Sequence, residues 1–230
     1  EFAAQFTGDT ASSDTDGDGF SNYEEVLLGT DPDDGSVAPT AVDRQVALYM
    51  LSLGVDDGDK VALDDDADSD GVSNYAEILL ATDPSDGSVA PTAADSLVAQ
   101  TMIDLGVVDS NMVAANDDAD GDGVSNIAEI LLNTNPSNAN DEPTASGSSS
   151  IDGTDFVFGF VRLKSSLTPS GASVVVECAD ETFTFTPVVD LESNLSLSTD
   201  QSGITSDYER VEYRVETSSI DCNFFRLSVQ

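Results

Sequence analysis

Residues 14–34 read DTDGDGFSNYEEVLLGTDPDD, residues 66–86 read DADSDGVSNYAEILLATDPSD, and residues 118–138 read DADGDGVSNIAEILLNTNPSN. The copies begin 52 residues apart, at Asp14, Asp66 and Asp118. The register also holds between them without a gap: GSVAPTAVDRQVALYMLSLGV from Gly35 aligns with GSVAPTAADSLVAQTMIDLGV from Gly87. Self-similarity at a fixed period means one supersecondary unit used repeatedly, each copy burying its apolar face against its neighbours.

Counting the first aspartate as position 1, the first loop has carboxylates at 1, 3 and 5 (Asp14, Asp16, Asp18), Gly19 at 6, Phe20 at 7, Asn22 at 9 and Glu25 at 12. The second supplies Asp66, Asp68, Asp70, Gly71, Val72, Asn74 and Glu77, and the third Asp118, Asp120, Asp122, Gly123, Val124, Asn126 and Glu129. This is the ligand spacing of an EF-hand loop: glycine permits the sharp turn, position 7 offers its backbone carbonyl, and the last glutamate binds through both oxygens. Four carboxylates in one loop repel one another, and one divalent ion offsets half of that charge while satisfying their lone pairs. The expected cofactor is Ca2+, about three ions. Magnesium fits less well, because it prefers a tighter octahedral site and keeps several waters. Asp64 and Asp65 before the second loop, and Asp31 and Asp34 after the first, read as caps and turn residues, with a further ion the alternative. Asn135 and Asn138 replace the corresponding aspartates in the third copy.

Between loops the spacing predicts an amphipathic helix. Thr40 is its N-cap with Asp43 three residues on, followed by Val42, Val46, Tyr49, Met50 and Leu53 before Gly54. Thr92, Ala94, Asp95, Val98, Met102, Leu105 and Gly106 repeat the pattern. After each loop a shorter apolar run, such as Tyr23, Val26 and Leu27, ends near Gly29 and a Thr-Asp-Pro that cannot continue a helix.

DTDGDGFSNYEEVLLGTDP resembles the bacterial thrombospondin type 3 repeats, and the DxDxDGxxNxxE loop followed by a helix is also similar to dockerin half-modules. The resemblance spans each loop and its exit helix. It implies a secreted or cell-surface protein whose acidic repeats are rigidified by calcium, held by the aspartates, asparagines and glutamates named above. Unlike a tandem thrombospondin array, this chain inserts a whole helix between loops. Unlike a dockerin, it has three widely spaced copies in place of a close pair.

After the third copy the pattern changes. Residues 137–154 are rich in Ser, Asn, Pro and Gly, with Ser148, Ser149 and Ser150 in a row, and read as a linker. Beyond it the apolar period becomes two: Phe156, Phe158, Phe160; Val174, Val176, Cys178; Phe183, Phe185; Val211, Tyr213, Val215; Cys222, Phe224. The expected fold is therefore multidomain. An N-terminal segment (1–13) leads into a small all-α helical repeat region with EF-hand-like loops (14–136), which the linker joins to an all-β antiparallel sandwich (155–230). The only two cysteines, Cys178 and Cys222, suit one disulfide in an oxidising compartment.

Composition narrows the function. With 45 acidic residues against 7 basic and a net charge of -38, binding to nucleic acid or anionic lipid is electrostatically unfavourable. No histidine and no tryptophan are present, so the commonest general base and the largest sugar-stacking ring are missing. No apolar run approaches the roughly 20 residues that span a bilayer, and the sequence as given opens at Glu1 with neither an initiator methionine nor a basic n-region, which reads as a mature or trimmed product from which a signal peptide has been removed. The expectation is a secreted, extracellular or cell-surface calcium-binding structural or adhesive module of a bacterial surface protein or fibre, without enzymatic activity. Its expected partners are another protein, a neighbouring subunit or a surface polysaccharide. The alternative is a non-catalytic, polysaccharide-binding accessory region of a secreted hydrolase. A glycosidase using paired carboxylates is disfavoured, because the paired acids already lie in the loops.

Overall fold

The computed structural model describes residues 12–141, 148–179, 184–188, 194–216 and 224–229. Among them, five short helices precede two small antiparallel sheets. The chain divides into two compact units, Glu1–Thr92 and Ala93–Gln230.

The first unit holds α1 (Asn22–Leu28), α2 (Ala41–Ser52) and α3 (Asn74–Leu80). Both α1 and α2 begin in a capping box. The Ser21 hydroxyl accepts from the Glu24 N–H while the Glu24 carboxylate accepts from the Ser21 N–H, and Thr40 and Asp43 do the same for α2. α1 stops at Gly29 (φ 76°), whereas α3 stops in the same left-handed conformation at an alanine, Ala81 (φ 59°). α2 turns Val46, Ala47 and Met50 inward, where they meet Leu27 of α1 and Val61 of the segment leading to the second loop. Truncating one of these, such as Leu27→Ala, costs about 2–5 kcal/mol. Tyr49, grouped with them by helical spacing, is 41% exposed. It lies at the edge of the stripe centred on Val46, Ala47 and Met50, and its hydroxyl favours water.

The second unit begins with α4 (Ala93–Asp104), which buries Val98, Ala99 and Met102, and α5 (Asn126–Leu131). Then come β1 (Ser148–Asp152), β2 (Asp155–Leu163), β3 (Val174–Ala179), β4 (Phe185–Pro187), β5 (Leu195–Leu197), β6 (Tyr208–Glu216) and β7 (Phe224–Val229). One sheet has the order β1-β2-β6-β5 and the other β4-β3-β7. β1 occupies part of the stretch whose composition reads as linker. A two-residue turn with Gly153 at φ 65° sets Asp152 opposite Asp155, and β1 pairs with β2 from there. Serine suits this position because β1 is an edge strand with a partner on one side only.

The period-two residues form a common core. Phe160, Val211 and Tyr213 from the first sheet cluster with Val176 from the second, flanked by Phe158, Val174, Val215 and Leu227. Phe156 of β2 stacks on Phe225 of β7 with ring centroids 4.3 Å apart. β2 also buries Val157, Val161 and Leu163 on its opposite face. Within this unit α5 packs against β2 and β7, and the Tyr208 hydroxyl donates a 2.9 Å hydrogen bond to the Ile130 carbonyl.

The expected Cys178–Cys222 disulfide is not found among the described residues. Cys178 is a half-buried free thiol, and the β3–β7 register sets Phe225 opposite it. Cys222 and Phe183 lie outside the described residues. Among the described residues no helix is long and apolar enough to cross a membrane.

Candidate metal centres

Each acidic loop is wound by its own carboxylates. In the first, Asp14 Oδ1 accepts from the Gly17 N–H (2.7 Å) and its Oδ2 from the Gly19 N–H (3.1 Å). Asp16 Oδ1 accepts from Asp18 N–H (3.2 Å), and Asp18 Oδ1 from Phe20 N–H (2.8 Å). The second loop repeats this with Asp66 on Ser69 and Gly71, Asp68 on Asp70, and Asp70 on Val72. The third has Asp118 on Gly121 and Gly123, Asp120 on Asp122, and Asp122 on Val124. The position-6 glycines Gly19, Gly71 and Gly123 sit at φ 99°, 96° and 96°, a conformation that a side chain strains. The position-5 aspartate fixes the N–H of Phe20, Val72 or Val124, and with it the peptide that leads to the position-7 carbonyl.

This winding uses one oxygen of each position-3 and position-5 aspartate and leaves the other over. Oδ2 of Asp16, Asp18, Asp68, Asp70, Asp120 and Asp122 is buried without a hydrogen-bond partner among the described residues. So are Oε2 of Glu25 and Glu77, and both carboxylate oxygens of Glu129. In each loop one carboxylate oxygen from each of the three aspartates lies within 4.8 Å of the other two. The glutamates are 0% exposed. Burial pushes the Glu25 carboxyl above its ordinary range, with the charges of Asp16, Asp18 and Asp14 adding to the effect. Burial, reinforced by the charges of the three aspartates of each loop, likewise pushes Glu77 and Glu129 up to about 7. Asp141 acts in the same direction on Glu129. An unpaired buried acceptor costs about 1–3 kcal/mol, and more when charged. A donor set made of oxygens alone, with the aspartates of each loop converging and the second oxygen of two of them left without a hydrogen-bond partner among the described residues, fits a hard divalent cation.

The position-9 asparagines do something the motif does not announce. Asn74 Nδ2 donates to the carbonyls of Lys60 (3.0 Å) and Ala62 (2.8 Å), while its Oδ1 accepts from Ala67 N–H (3.2 Å). Asn126 makes the matching bonds to Met112, Ala114 and Ala119. Asn22 Oδ1 accepts from the N–H and hydroxyl of Thr15. These amides clasp the loop to itself and, in the second and third copies, to the segment that leads into it.

The threonine of Thr-Asp-Pro has a role beyond ending the helix. Thr82 Oγ1 donates to Glu77 Oε1 (3.1 Å), and Thr30 Oγ1 to Glu25 Oε1 (3.4 Å), so one oxygen of each glutamate is held. The following turn folds back on the loop. A Cβ on Gly35 would lie 3.3 Å from Asp16 Cγ, and one on Gly87 3.4 Å from the Asp68 carbonyl oxygen. Glycine recurring in the register is the trace this leaves in the sequence. Asp31, Asp34, Asp83 and Asp86 accept from N–H groups two residues on, which is turn chemistry. Asp65 accepts from Ala62 N–H in the same spirit.

The sequence model of the bacterial TSP3 repeat matches residues 14–34 and 118–139. Those segments are bacterial TSP3 repeats. Residues 66–86 carry the same loop residues and the same pattern of orphaned oxygens. TSP3 repeats are structural calcium-binding modules, not catalytic ones, and occur in extracellular proteins. The three aspartate triplets agree with Ca2+ as their ion. No curated protein and no solved structure matches the chain.

Proposed function

We propose that this chain is a secreted structural or adhesive module of a bacterial surface protein or fibre, without catalytic activity, made rigid by about three calcium ions. The observation that carries the reading is the set of buried, partnerless carboxylate oxygens recurring at the same positions of three loops. Asp14, Asp16, Asp18 and Glu25 would hold the first ion, with the carbonyl of Phe20. Asp66, Asp68, Asp70, Glu77 and Val72 would hold the second, and Asp118, Asp120, Asp122, Glu129 and Val124 the third. Asn22, Asn74 and Asn126 complete each loop as its clasp. Calcium supplies positive charge where four carboxylates otherwise repel.

The loops then follow EF-hand spacing inside a helical repeat region, and the two sheets with their shared core form an antiparallel sandwich, the part that meets a neighbouring subunit, another protein or a surface polysaccharide. The excess of acid favours cations, and the absence of histidine fits a role without acid–base catalysis.

Equilibrium dialysis against calcium, paired with thermal melts in chelator, calcium and magnesium, tests the reading. The expected result is about three bound calcium ions and a calcium-specific rise in melting temperature. A site held at about 100 times its dissociation constant adds about 2.7 kcal/mol. An identical melt in chelator and calcium refutes it.

A further inference from the structure

The third exit helix differs from the other two in how deeply it is covered. Tyr23, Val26 and Leu28 of α1, and Tyr75, Ile78 and Leu80 of α3, are half-buried. The matching Ile127, Ile130 and Leu132 are 6%, 4% and 3% exposed. Where the first two copies have tyrosine, the third has Ile127, which brings no hydroxyl to strand on burial. α5 packs against β2 and β7, and the Tyr208 hydroxyl at the start of β6 is bonded to the Ile130 carbonyl. Tyr208 itself stands opposite Leu163 at the end of β2, so the bond reaches the central strand pair of the larger sheet.

Glu129 immediately precedes Ile130. Among the described residues both its oxygens are buried without hydrogen-bond partners, whereas Glu25 and Glu77 each leave one so and give the other to a threonine. Thr134, the equivalent threonine, bonds the Glu129 backbone carbonyl. One turn of helix therefore presents a carboxylate to the third loop and an apolar face with a bonded carbonyl to the sheets.

We infer that the third loop is a calcium-dependent latch on the β-sheets. An ion held by Asp118, Asp120, Asp122 and Glu129 fixes α5, and α5 braces β2, β6 and β7. The first and second loops have no such role. The inference rests on the calcium reading above and adds that one of the three sites controls the stability of a region that binds no ion.

Hydrogen–deuterium exchange of the full chain, read by peptide in chelator and in saturating calcium, separates the two claims. At about 100 times the dissociation constant, opening that requires release of the ion is suppressed about 100-fold. Amides of β2 and β6 should therefore exchange about 10- to 100-fold more slowly in calcium. Glu129→Gln should abolish that difference, while Glu25→Gln and Glu77→Gln leave it. Tyr208→Phe removes only the hydroxyl: calcium should still protect residues 118–129, and protection of β2 and β6 should fall roughly two- to tenfold. Calcium protection of all three loops with unchanged exchange in β2 and β6 overturns the latch and leaves the calcium reading standing. Protection of none of the loops overturns both.

Discussion

Glu77→Gln is expected to stabilise the metal-free chain and destabilise the calcium-loaded one. Glu77 is 0% exposed and has one oxygen without a partner. Its burial, reinforced by the charges of Asp70, Asp68 and Asp66, lifts its pKa from 4.5 to about 7. A tenfold change in proton affinity corresponds to about 1.36 kcal/mol, so an ionised Glu77 weakens the metal-free fold by at most about 3 kcal/mol at pH 8. Glutamine keeps the shape and an oxygen for Thr82 but carries no charge, and it should recover much of this. In a unit of this size 1 kcal/mol moves the melting temperature by about 4–8 °C, so the rise in chelator should be on the order of 10 °C. In calcium the variant loses a ligand and much of the roughly 2.7 kcal/mol its site adds, and it should melt below the wild type.

The pH dependence gives the same mechanism a second sign. The folded-state pKa lies above the unfolded one, so the metal-free fold binds a proton more readily than the unfolded chain does. The contribution of Glu77 to stability is then fullest below about pH 4.5 and is lost as pH rises towards about 7. The advantage of Glu77→Gln in chelator should shrink to nothing as pH falls back across that window. Differential scanning calorimetry from pH 4.5 to 8, with and without calcium, reads both effects. A variant that melts below the wild type in chelator at pH 8 would show that Glu77 is an ordinary structural hydrogen bonder and not a caged charge.

Three further outcomes follow from the geometry. Ala81→Gly relieves a left-handed alanine at the end of α3 and should raise stability by about 1 kcal/mol, while Gly29→Ala should lower it by a similar amount, both measured by urea denaturation. Asn74→Ala strands the Lys60 and Ala62 carbonyls, and should cost about 2–3 kcal/mol in chelator and calcium alike. Equal loss in both conditions marks a clasp, and loss confined to calcium a ligand. Gly71→Ala puts a side chain at φ 96° in the second loop and should weaken calcium binding there by about tenfold in titration calorimetry, with the other two sites unchanged.

The acidic loops were legible because a cation site demands fixed residue types at fixed spacing, and because the same spacing recurs at Asp14, Asp66 and Asp118. The helix ends were legible for the same reason: Thr40 and Asp43 form the box their spacing implies. What sequence left unread are features whose chemistry is not unique to one structure. Asn74 sits at a position where a ligand is common, and only the backbone carbonyls brought to it by the lead-in segment make it a clasp. A run of serines has the composition of a linker, yet beside β2 it completes an edge.

The replacement of Tyr23 and Tyr75 by Ile127 is the informative departure from the repeat. Three copies of nearly one motif must place their carboxylates alike, because the loop chemistry permits little else. Their exit helices are free to differ on the side away from the loop. In α1 and α3 that side keeps a tyrosine and stays half-buried, while in α5 it becomes aliphatic and buried within the unit that holds the β-sheets. A cation site and a packing face then share consecutive residues, Glu129 and Ile130, on a six-residue helix too short to hold its shape alone. Whatever fixes one end of such a helix fixes the other, so the third copy's departure from the repeat is where calcium affinity and β-sheet stability become one quantity.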